Sequence, residues 1–170
     1  MQRNSSRFTL LLLALREIRL DNNIHLGQLA HATGKTPKEW ESIETGKSPL
    51  TLQVFTNAAY GLFQQPSHVM WLAEQLANKF ISHGWYFQPG PLGNEDDLLP
   101  LIGKYFTSAG YEALMRRPND RMSVTALTQG NIWAEPTIVR YCCVQGFREW
   151  VDAGAQPEMT YPTVDMDSGL

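Results

Sequence analysis

Cysteine is nearly missing from this sequence of 170 residues: there are two, adjacent at Cys142 and Cys143. Neighbouring cysteines on a helix point in different directions, so they form neither a disulfide framework nor a metal pair. Cys142 reads as core and Cys143 as incidental, and a reducing cytoplasm is the expected compartment. No apolar run reaches the roughly 18 residues that a membrane-crossing helix needs. The apolar stretch 8–15 continues into Arg16, Glu17 and Arg19, which marks it as a helix and not a signal peptide. The four histidines, His25, His31, His68 and His83, make no HxxxH pattern, and there is no CxxC, so a zinc site is not expected. A phosphate loop of the GxxxxGK type and a serine-nucleophile motif are also missing. The carboxylates Glu95, Asp96 and Asp97 read as compensation of a helix dipole, not as a metal site. These absences exclude an enzyme, a cofactor and a metal from the expected reading.

An excess of positive charge is missing too. There are 14 basic and 17 acidic side chains, for a net charge of −3. The distribution is uneven: residues 1–80 carry 8 basic and 6 acidic groups, whereas residues 81–170 carry 6 and 11. Strong non-specific affinity for nucleic acid is therefore not expected, although basic groups clustered on one face would still permit binding. The hydrophobic content of 43% is enough to build a core.

Helical spacing dominates the N-terminal half. Leu11, Leu12, Leu15 and Ile18 recur at helical intervals over 8–20, and Asp21-Asn22-Asn23 ends that run. A short helix is expected over 26–32, closed by Thr33-Gly34. Thr36 is a helix cap with Pro37 at the first position and Glu39 three residues on, a capping box. That helix runs through Trp40 and Ile43 to Gly46, with Trp40 facing inward. Thr51 caps a fourth helix and Pro66 opens a fifth over 67–81. The fifth, with Met70, Trp71 and the Leu72/Leu76 stripe, is a candidate for both core and dimer contact.

The set Leu15-Arg16, Ile24, Leu29-Ala30, Gly34, Thr36, Trp40, Ile43-Glu44 and Gly46-Lys47, followed by Leu52, Ala59 and Leu62, resembles the lambda-repressor-like (XRE) DNA-binding domain over residues 8–65. The resemblance implies a recognition helix beginning near Thr36. Lys35, Thr36, Lys38, Glu39, Ser42 and Lys47 would then face DNA, the lysines on phosphates.

A second pattern lies near the end: Pro136-Thr137-Ile138-Val139-Arg140-Tyr141-Cys142, followed by Gly146-Phe147. With the helix expected over 98–111, it resembles the helix-turn-helix of RpiR-family bacterial regulators. Ser123 is the expected cap of its first helix, with Val124 and Leu127 inward. Spacing puts Ile138, Val139 and Cys142 inward and Thr137, Arg140 and Tyr141 outward. The resemblance places Glu135, Thr137, Arg140 and Tyr141 at DNA.

The expected architecture is all-α, with two small helical domains that each carry a helix-turn-helix: 1–83 and 98–154. A linker spans 84–97, in which Trp85, Tyr86 and Phe87 pack onto a domain and Asn94 with Asp97 caps the next helix. The tail 155–170 is expected to be disordered. The expected function is a sequence-specific transcriptional regulator of bacterial, phage or mobile-element origin. It would bind double-stranded DNA as a homodimer in the cytoplasm, without a membrane. Two alternatives stand beside it: a protein-interaction adaptor that keeps the helix-turn-helix fold without DNA, and an accessory factor for recombination or partition.

Overall fold

A chain rich in helical spacing and poor in β-branched alternation folds as mostly α-helix, so the all-α class holds. The structure, a computed structural model, describes residues 2–130 and 133–157. Strand β1 (Arg3–Ser6) leads directly into α1 (Arg7–Asp21). Ser6 caps α1 by accepting the Thr9 N–H, and Leu10, Leu13, Ala14 and Ile18 are buried along its inner face. The chain then makes α2 (Leu26–Ala32) and α3 (Pro37–Glu44), joined by a turn in which Gly34 takes φ 70°. α4 (Leu52–Gly61) is capped by Thr51, and α5 (Pro66–Ile81) starts on its proline. Trp40 is 0% exposed, as the spacing of α3 requires. Arg19 grips Glu44 with two nitrogens, at 2.7 and 3.1 Å, which pins the end of α3 to α1.

The expected linker holds strand β2 (Trp85–Gln88), which pairs in parallel with β1 in the register Arg3↔Trp85 to Ser6↔Gln88. Trp85 and Phe87 are buried against Phe80, and Tyr86 is exposed. The cap of α6 (Leu98–Thr107) differs from expectation. Neither Asn94 nor Asp97 supplies it: Asp96 Oδ1 accepts the N–H groups of Leu98 and Leu99 at 2.8 and 3.0 Å. The same buried carboxylate accepts from the Ser5 and Thr9 hydroxyls at 2.9 and 2.6 Å, so it also fastens β1 and α1.

α7 (Ala109–Met115) crosses α9 (Gln145–Asp152) at Gly110, where a β-carbon would strike the Val151 carbonyl. Ser123 caps a 3-10 turn over Val124–Gln129 and not an α-helix. Val124 and Leu127 point inward as expected. α8 (Thr137–Cys143) follows, packed on α5, α6 and α9. Buried side chains of both halves join one hydrophobic cluster, from Leu10 to Val151. The expected disorder of the tail does not begin at residue 155: Ala155 is buried and the Gln156 carbonyl accepts the Trp150 indole N–H at 3.0 Å. Residues 158–170 lie outside the described residues, as does Ile132 ahead of α8.

Candidate nucleic-acid interface

The outer face of α3 is shaped by its own cap. Thr36 Oγ1 accepts the Glu39 N–H at 3.2 Å, and the Glu39 carboxylate accepts the Thr36 N–H at 3.1 Å. That bond and the Thr36 hydroxyl hold the Glu39 carboxyl below its usual range. Glu39 therefore works first as a capping group, and its charge sits over the positive end of the helix. Ser42 shares a hydroxyl hydrogen bond of 2.8 Å with Ser48. Lys38 and Lys47 are exposed and Lys35 is half-buried. Among the described residues none of the three ammonium groups forms an ion pair.

These residues surround an open groove of about 510 Å³ lined by Lys35, Thr36, Lys38, Glu39, Ser42, Ile43, Ser48, Pro49, Thr51 and Val54. The structure thus brings Lys35, Thr36, Lys38, Glu39 and Ser42 together and leaves Lys47 on the neighbouring loop. Ser48, Pro49, Thr51 and Val54 were not expected there. The only sequence signal for them is that they follow the Gly46-Lys47 turn. Beneath the groove α3 is immobilised by Trp40, Ile43 and the Arg19–Glu44 pair.

The second expected face is overturned at two of its four positions. Thr137 and Tyr141 are buried, not outward. The Thr137 hydroxyl accepts the Met122 N–H at 2.7 Å, and the Tyr141 hydroxyl donates to Asp152 at 2.7 Å. Glu135 meets His83 at 2.5 Å. Arg140 is half-buried, with its guanidinium 4.3 Å from the centre of the Phe147 ring. Burial at Thr137, Ile138, Val139, Tyr141 and Cys142 leaves only Arg140 and Cys143 of α8 partly exposed.

Other arginines of this half are also committed to the fold. Arg148 donates to the Tyr141 and Cys142 carbonyls at 3.0 and 2.9 Å, closing the end of α8. Arg117 donates to the Ala155 carbonyl. Arg121 bridges Glu17 and Asp21 of α1 at 2.6 and 2.9 Å. Burial works against the Arg121 charge, but Glu17 and its neighbours outweigh it, so its pKa lies above the ordinary value. Arg116 remains exposed. Burial pushes the Cys142 thiol well up and Cys143 up to about 12, so neither is poised as a thiolate nucleophile. No group of His, Cys, Asp and Glu among the described residues is arranged to hold a metal, and no helix among them is long and apolar enough to cross a membrane.

No family model matches the chain, no characterised protein matches its sequence, and no solved structure matches its fold.

Proposed function

We propose that the chain is a DNA-binding transcriptional regulator that docks α3 of its N-terminal half onto duplex DNA. One observation carries the reading: α3 turns an uncovered polar face outward, flanked by Lys35 and Lys38 and followed by Lys47 on the next loop, none with an ion-pair partner among the described residues, while its inner face is locked. Lysines in that arrangement meet phosphates, which position the protein without reading sequence. Ser42 and Thr36 offer hydroxyls beside them. The C-terminal half supports this unit through Arg121 and Asp96 and does not itself read DNA.

The test is titration of a random-sequence duplex pool by fluorescence anisotropy at several salt concentrations. Three phosphate contacts give a log–log salt slope of about −2.7. Lys35→Ala/Lys38→Ala/Lys47→Ala should flatten it. Absence of binding at about 50 mM salt would sink the proposal. The adaptor reading has its own observation: Glu39 and Glu41 are exposed on the same helix and repel phosphate. It predicts a partner protein on this groove and no salt-dependent affinity for duplex.

A further inference from the structure

We infer that the seam between the two halves of the chain holds a binding site for a small neutral polyol, a monosaccharide in its ring form. The end of α1, the start of α5 and the 3-10 turn Val124–Gln129 surround a hollow of about 280 Å³. Small-molecule pockets run from about 300 to 1,000 Å³, so the occupant is small. Asp21 is the one carboxylate on the wall, and no lysine or arginine lines it. That carboxylate is already used. Its Oδ1 accepts from Arg121 at 2.9 Å, and its Oδ2 accepts from the Ser123 hydroxyl and from the Thr125 hydroxyl at 3.2 Å. A cation gains little from a carboxylate so paired, and an anion finds no cation on the wall to hold it.

What the wall still offers is hydrogen bonding of both kinds. The carboxamides of Gln64, just ahead of α5, and Gln129, at the end of the turn, form no hydrogen bond among the described residues, and neither does the His68 ring. A carboxamide both donates and accepts, as a sugar hydroxyl does, so each can satisfy the other. The plane of the His68 ring is set by stacking on Trp71, with centres 6.0 Å and planes 15° apart. Ile18 and Leu72 are buried and supply the apolar part of the wall. A sugar ring has the same division, with hydroxyls around its edge and C–H groups on its face. The C–H face covers Ile18 and Leu72 while the edge reaches Gln64, Gln129 and His68. An apolar ligand of this size would strip water from both carboxamides and leave them unpaired. The groove beside α3, with Lys35 and Lys38, suits phosphates; this wall does not.

Saturation-transfer NMR on the full chain, without DNA, tests the site with glucose, galactose, ribose and glucose 6-phosphate as probes. At least one of the three neutral sugars should bind with a dissociation constant on the order of 1 mM, as expected for so few heavy atoms. Gln64→Ala and Gln129→Ala should each weaken that binding by about five- to tenfold, the loss of a hydrogen bond or two. Circular dichroism should not change, since Gln129 is exposed, Gln64 is half-buried, and neither side chain bonds to another part of the described chain. No binding of any neutral probe at about 100 mM overturns the inference. Binding that survives both substitutions places the sugar elsewhere and overturns it too. So does glucose 6-phosphate binding more tightly than glucose through the same two glutamines, because the site would then select an anion. Neither glutamine belongs to α3, so duplex titration reads a separate property. A chain that binds duplex and no sugar loses this site and keeps the DNA reading; a chain that binds sugar and no duplex does the reverse.

Discussion

Glu17→Gln probes the polar seam that ties α1 to the C-terminal half. Glu17 is 1% exposed, and its carboxylate lies 2.6 Å from Arg121, which also holds Asp21 at 2.9 Å. Burial pushes the Glu17 carboxyl up to about 7 from an ordinary value of 4.5; Arg121 opposes the rise and Asp21 adds to it. The folded state therefore holds this proton more tightly than the unfolded chain. The resulting stability is fully present below about 4.5 and is lost as pH rises through about 7. A shift of that size corresponds to about 3 kcal/mol. Other titrating groups are common to wild type and Glu17→Gln, so they cancel in the difference. Urea unfolding followed by tryptophan fluorescence, at steps across this pH range, gives that difference directly. Wild type should lose about 3 kcal/mol relative to Glu17→Gln between the acid and alkaline ends. A difference that does not change with pH would show that the Arg121 charge keeps Glu17 ionised throughout, and the reasoning from burial would fail.

Four further outcomes follow from three side chains. Trp40→Ala should cost about 3–5 kcal/mol in urea unfolding, because a fully buried ring leaves a cavity. Trp40→Phe should cost clearly less, since the Trp40 indole N–H is buried with no hydrogen-bond partner among the described residues and its removal ends that penalty. Lys38→Ala should lower the log–log salt slope of duplex binding by about 1 across all sequences, read by anisotropy. Arg140→Ala should leave duplex binding unchanged and lower thermal stability by about 0.5–2 kcal/mol, because its guanidinium lies over Phe147.

The contrast between α3 and α8 shows what was legible in the amino-acid order. α3 is announced by neighbours in the chain: Thr36 caps it, Pro37 opens it, Glu39 closes the box, and Trp40 and Ile43 set its inner face. Those signals are local, so the amino-acid order alone placed the helix and its inner face. α8 has the same kind of spacing, yet its phase came out reversed for Thr137 and Tyr141. A hydroxyl reads as outward only while no partner waits inside. Here Met122 supplies one: its N–H donates to the Thr137 hydroxyl and its carbonyl accepts the Thr137 N–H at 2.9 Å. The cost of burying the hydroxyl is thereby offset. Tyr141 buries its ring 5.3 Å from that of Tyr105 and sends only its hydroxyl out to Asp152. Both partners are distant or on another element, and no local pattern reports them. β1 was hidden for the same reason. Arg3-Asn4-Ser5-Ser6 has no apolar alternation, and it becomes a strand because Trp85–Gln88 pairs with it and Asp96 and Asp97 bind its polar groups. The groove wall of Ser48, Pro49, Thr51 and Val54 depends likewise on how α4 docks beside α3. So the cap and inner face of α3 were readable from neighbours in the chain, whereas the depth of the groove beside it, and the burial of Thr137 and Tyr141 on α8, arise from long-range packing.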